Sequence, residues 1–259
     1  MKPTAVYRRP IRASLARIWE NVLDWEHLPW LHSESFAGIE LLQQEREGWR
    51  AWVALPGEKT RRALVDVRLH RPELHYWTRT VEGSGAGTDI RTSLAPRAEH
   101  VTDITVEFFV PGLGPAAVQP MGEFYTRLYT RLWDEDEAMM TRRESLFGRA
   151  SRLPVPRRFD LGAEAELRAR LPLIVGEGKR AVRLLELDGA IVAHAAACPH
   201  LGGPLGDSTP CAGVVTCPWH GYRFDLRSGA SADGRALRLP PPPLLQVDES
   251  GNVSLEFQD

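Results

Sequence analysis

The chain has 259 residues, enough for two modest domains or one large one, and its 43% hydrophobic and 25% charged residues suit a globular protein. A net charge of -2 leaves no nucleic-acid footprint, and no run of about eighteen apolar residues marks a membrane span. The N-terminus lacks a signal peptide's apolar core and cleavage site, so a cytoplasmic protein is the default expectation.

In chain order, the pattern predicts a short strand near Ala5–Arg8, then a helix over Leu15–Leu23 capped by Ser14, with Ile18, Trp19 and Val22 inward. Pro29 is expected to interrupt any continuation. β-like stretches follow at Ile39–Gln44, Trp49–Leu55, Ala63–Leu69, Leu74–Val81, Asp89–Leu94 and Thr102–Val110, punctuated by Gly and Pro. A long helix closes this part from about Gly122 to Phe147. The basic, proline-containing stretch after Gly148 reads as a linker over 149–160. Beyond it, short strands at Leu173–Val175, Val182–Leu187, Ile191–His194, Gly213–Thr216 and Val253–Phe257, with no strong helical period, predict a small all-β domain over 161–259. The arrangement over 1–148, a curved antiparallel sheet around a long C-terminal helix, resembles the helix-grip (START-like) fold, giving an α+β protein overall. That fold hosts many activities and decides none.

An odd, low count of three cysteines argues against a disulfide scaffold and turns attention to metal or redox chemistry. Cys198-Pro-His200 and Cys217-Pro-Trp-His220 are sixteen residues apart, and each supplies one thiolate and one imidazole. That is the donor set of a Rieske [2Fe-2S] cluster, two Cys on one iron and two His on the other. The same ligand types also permit a zinc site. ACPHLGGPLG and CPWHGYRFDLRSG, however, resemble the Rieske family almost residue for residue. The two loops should lie side by side, with the strands between them forming a hairpin-like pair. Respiratory Rieske proteins carry a loop-linking disulfide near the positions of Gly203 and Trp219. They also have a tyrosine where Phe224 stands. Their absence resembles the lower-potential oxygenase and ferredoxin class. Cys211 fits no ligand position.

A second constellation lies at Asp24-Trp-Glu-His27-Leu-Pro-Trp-Leu-His32, preceded by Glu20-Asn21. Two imidazoles and a carboxylate suit a mononuclear non-heme Fe(II) with positions open for O2 and substrate. In a regular helix residues five apart diverge by about 140°, so Pro29 is the expected break that lets His27 and His32 converge. Helix-grip proteins also carry such residues with no metal. For the third ligand, helical phase selects Asp136. It falls in the middle of an apolar arc formed by Tyr125, Leu128, Tyr129, Leu132, Trp133, Met139 and Met140, with Glu135 and Glu137 just beyond its edges. A carboxylate on a buried face needs a metal or a partner. His70, His75, His100 and His194 read as surface or packing residues.

This spacing is similar to that of the Rieske non-heme iron oxygenases, though with the domain order reversed and a short catalytic portion. The resemblance implies His27, His32 and Asp136 as iron ligands. It also implies Asp24 as the carboxylate linking that site to a cluster histidine. It further implies an external ferredoxin or NAD(P)H-dependent reductase, hydroxylation or oxidative demethylation of an apolar or aromatic small molecule with O2, and a head-to-tail homotrimer. The alternative expectation is a non-catalytic START-like ligand-binding domain fused to a Rieske electron carrier. Trp30, Phe36, Trp49, Trp52, Trp77, Tyr125 and Trp133 are the aromatic candidates for a pocket wall.

Overall fold

The computed structural model describes residues 2–57, 61–148 and 157–258. It divides into two compact units, Met1–Thr141 and Arg142–Asp259.

The first unit begins with β1 (Ala5–Ile11) and α1 (Leu15–Leu23), whose cap Ser14 accepts a hydrogen bond from the Arg17 amide at 3.2 Å. After a tight 3-10 turn over Trp25–His27 comes a single helical turn, α2 (Leu28–Leu31). Six strands follow: β2 (Gly38–Glu45), β3 (Gly48–Ala54), β4 (Arg62–His70), β5 (His75–Gly83), β6 (Asp89–Ala98) and β7 (Val101–Phe109). All pair antiparallel in the order β1-β7-β6-β5-β4-β3-β2. Alternation decides the inner face: Thr102, Ile104, Val106 and Phe108 of β7 are buried, as are Trp49, Ala51 and Val53 of β3. The helix α3 (Pro115–Phe147) lays Trp133 and Met140 into the same core, with Tyr125 and Tyr129 against it. This sheet gripping a long helix is the START-like, helix-grip arrangement. α3 starts two turns before the expected Gly122. Its first residues, Pro115–Pro120, are mostly exposed, so no apolar period announces them.

The second unit contains three small sheets, β11-β10-β9, β12-β13 and β14-β15-β8. Their strands are β8 (Arg158–Ala163), β9 (Leu173–Val175), β10 (Val182–Leu187), β11 (Ala190–Ala195), β12 (Val214–Thr216), β13 (Arg223–Asp225), β14 (Leu244–Val247) and β15 (Asn252–Glu256). Leu161, Leu184, Val253 and Leu255 form its core with Leu167 of a short helix, α4 (Glu164–Ala169). The expected linker lies outside the described residues over 149–156, and Arg158–Asp160 already belong to β8. No described helix is long and apolar enough to cross a membrane.

Candidate metal centres

In the first unit, the chain between α1 and β2 brings His27 and His32 together. The helical path breaks at Asp24, with φ -84° and ψ 71°, and not at Pro29. Pro29 instead occupies the first turn of α2, where its missing N–H costs nothing. His27 and His32 cap the two ends of that turn, and the imidazole rings are 5.0 Å apart. From α3, Asp136 reaches His32 Nε2 at 3.1 Å and His27 Nε2 at 3.5 Å. One ligating atom from each of the three residues lies within 4.8 Å of the others. Both histidines are buried.

The outer contacts set the chemistry of this group. Glu135 Oε2 sits 2.5 Å from His32 Nδ1. A carboxylate only accepts, so Nδ1 carries the proton and neutral His32 presents the Nε2 lone pair to Asp136. Two lone pairs facing at 3.1 Å repel unless a cation, proton or metal, lies between them. The donor set therefore fits a divalent metal. Burial opposes charge on His32, but Asp136 and Glu135 outweigh it and raise its pKa above 6.5. Burial likewise pushes the Asp136 carboxyl up, yet His32, His27 and a hydrogen bond with buried Asn21 hold it below the usual carboxylate value. Asp24 Oδ2 stands 3.9 Å from His27 Nδ1. Glu137, expected at the edge of the arc, is buried and taken by Arg9 and by Arg12 Nε at 2.7 Å. Glu135 and Asn21 are the two members that sequence reading missed. Asn21 left a trace, three residues after Ile18 on the buried face of α1.

The group lies in the wall of a cavity of about 430 Å³ enclosed by the sheet and α3, within the range of small-molecule sites. Phe36, Trp49, Tyr125 and Trp133 line it as expected. Trp30, Trp52 and Trp77 do not. Trp30 is 46% exposed, and Trp52 and Trp77 fall on the outer sheet face, three residues after Trp49 and one after Tyr76. There Arg62 covers Trp52 and Arg79 covers Trp77. Among the remaining histidines, His75 and His194 are buried, and His70 and His100 are exposed.

In the second unit, the two Cys/His loops share one backbone pattern. Gly202 N donates to Cys198 O and Gly221 N to Cys217 O, both at 2.9 Å. Cys198 N donates to Gly203 O and Cys217 N to Tyr222 O, both at 2.8 Å. Gly202 and Gly221 have φ of 80° and 68°, the left-handed region where glycine is unstrained. The loops differ in placing His200 two residues, and His220 three, after its cysteine. The two thiols hydrogen-bond to each other, and the imidazole rings are 4.7 Å apart. Sharing one proton, the pair splits. Its mutual hydrogen bond pulls Cys217 down to about 5 and, with burial, pushes Cys198 up. A Cβ at Gly203 would meet Cys217 Sγ at 2.4 Å, so only glycine leaves the sulfur room. Among the described residues, only His27, His32 and Asp136 gather within 4.8 Å as one ion's shell. The Cys/His quartet spans more than that, which fits a two-iron unit better than a single zinc.

Residues 158–243 match the family of the Rieske [2Fe-2S] domain. The second unit contains a Rieske domain. It implies a [2Fe-2S] cluster, and the paired loops, two thiols, two imidazoles and Gly203 fit one. No curated protein matches the chain. Solved structures similar to it include TTHA0849 from Thermus thermophilus, 20% identical over 52% of this chain and 97% of that one, TM-score 0.42. A START superfamily protein from Mycobacterium smegmatis is 21% identical over 52% and 97%, TM-score 0.42. The di-domain ARO/CYC StfQ from the steffimycin biosynthetic pathway is 15% identical over 98% and 84%, TM-score 0.42.

Within the Rieske domain, the hairpin-like pair expected between the two loops does not form there. The strand between the loops, β12, pairs with β13, which follows the second loop. The first loop is held instead by an Ala197–Pro204 bridge after β11. Tyr222 stacks on His200 at 4.3 Å, and the Arg235 guanidinium lies 3.7 Å from the centre of the Tyr222 ring. Two groups at that height cannot share one face, so Tyr222 is sandwiched. From the end of α3, Arg142 Nε donates to Gly202 O at 3.0 Å. Cys211 is exposed.

Proposed function

We propose that the chain is a compact Rieske oxygenase that hydroxylates or oxidatively demethylates an apolar or aromatic small molecule. The observation that carries this is the convergence of His27, His32 and Asp136 in the wall of an apolar cavity, on a chain that also has a Rieske domain. A ferrous ion held there would supply O2 activation, driven by single electrons from the [2Fe-2S] cluster of Cys198, His200, Cys217 and His220. The chain's own residues do the rest. Glu135 fixes the His32 tautomer and aims Nε2 inward. Asn21 holds Asp136 by a hydrogen bond. Asp24 is the outer partner of His27, through which electrons would arrive. Phe36, Trp49 and Trp133 exclude water and seat the substrate's apolar body beside the triad. An external ferredoxin or NAD(P)H-dependent reductase as donor, and a homotrimer, belong to this proposal.

A second reading is favoured by the 3.1 Å His32–Asp136 contact. A proton in place of the metal closes the triad as a hydrogen-bonded group, leaving a START-like binding domain fused to an electron carrier. Iron analysis of anaerobically purified protein separates the two. Near three irons per chain, one removable by a mild chelator without change in the cluster spectrum, supports the oxygenase; two irons per chain support the carrier.

A further inference from the structure

The cavity wall carries three phenols, Tyr76 from β5 and Tyr125 and Tyr129 from α3. Tyr125 and Tyr129 are one helical turn apart, ~6 Å along the wall. Tyr129 precedes Asp136 by seven residues, so it shares a helix face with the triad about 10 Å away along the axis. Phe108 stacks on Tyr125 at 4.8 Å and meets Tyr129 edge-on at 4.7 Å, which fixes both rings. Two of the phenols have polar neighbours on the protein. Tyr125 is hydrogen-bonded with Thr88, and Tyr76 faces Thr92 directly across the β5–β6 pair. The Tyr129 hydroxyl has no hydrogen-bond partner among the described residues. Facing the cavity, that hydroxyl is available to an acceptor that a ligand brings in. Burial, with Tyr76, Tyr125 and Asp136 nearby, holds the phenol's pKa well above the usual value, so it remains a donor across the working pH range.

We propose that the cavity takes an apolar small molecule bearing a carbonyl or hydroxyl oxygen, and that this oxygen accepts a hydrogen bond from Tyr129. The inference rests on the oxygenase reading only in placing the ligand's other end at the triad. The recognition itself needs neither metal nor turnover.

The test is anaerobic calorimetric titration of the cluster-loaded full chain with 9-fluorenone and with fluorene, ring frames that differ by one carbonyl oxygen. Fluorenone is expected to bind about tenfold more tightly. Tyr129→Phe should abolish that preference while keeping fluorene affinity, and Tyr125→Phe should keep the preference. Equal affinities in the wild type, binding of neither compound, or a preference that survives Tyr129→Phe overturns the proposal. So does Tyr129→Phe losing both ligands together, since the ring and not the hydroxyl would then be responsible. A preference seen in protein with only two irons per chain would sink the oxygenase reading and leave this one standing.

Discussion

His32 stands between two carboxylates, and the division of labour between them follows from which nitrogen each faces. Glu135 accepts the hydrogen bond from Nδ1–H, so the Nε2 lone pair faces Asp136, an arrangement that suits a shared cation. Glu135→Ala is expected to weaken metal binding about 10- to 100-fold with little change in fold; competition with a chromophoric chelator measures it. Glu137, one residue beyond Asp136, has a structural task. Its buried carboxylate accepts from the Arg12 amide at 3.0 Å and from the Arg12 and Arg9 guanidiniums. Glu137→Ala should cost about 1.5–3 kcal/mol in urea unfolding, the range for hydrogen bonds to charged groups. Burial pushes the Glu137 pKa up, but the Arg12 hydrogen bonds prevail and leave it below 4.5. Its contribution is therefore complete above pH 4.5 and falls away as pH drops through the lower folded value. Glu137→Gln should flatten that part of the stability–pH curve.

Among the elements, the two cluster loops show how little space separates a cradle from a blocked one. Gly203→Ala places a methyl against Cys217 Sγ, so the variant should purify without the visible and EPR signature of the cluster. The α1–α2 turn makes the opposite point. Its direction is set by the break at Asp24, and Pro29 merely begins a helical turn. On the oxygenase reading, Pro29→Ala should leave the iron content per chain unchanged, as metal analysis would show. The sequence made the wrong break legible because proline is conspicuous, whereas an aspartate with an unusual ψ looks like any other. β8, β14 and α4 escaped for a related reason. They are short and half exposed, with burial too irregular to give a period of two or 3.6. The inward arc of α3 was readable because one apolar stripe persists over several turns. Asp136 interrupts it, and an interruption in a long pattern is informative where one in a three-residue strand is not.

For the molecule as a whole, the oxygenase reading requires electrons stored in the Rieske domain to be spent in the first unit. Reduced protein given O2 and a bound substrate should reoxidise its cluster within a single turnover. His32→Ala, which keeps only the cluster, should reoxidise markedly more slowly in stopped-flow absorbance. The two Cys/His loops were legible in the sequence because each is a short local run, and the residues flanking them carried the resemblance to the Rieske family. Glu135 as the partner of His32 and Asn21 as the partner of Asp136 were not legible, since they depend on how α2 and α1 pack against α3. The division into units has its own consequence. It falls between Thr141 and Arg142, inside α3, and the last turn of that helix belongs with the Rieske domain, where Arg142 holds Gly202. A Rieske module excised from this chain should therefore begin no later than Arg142, since a piece starting after Gly148 leaves behind the guanidinium that holds the Gly202 carbonyl.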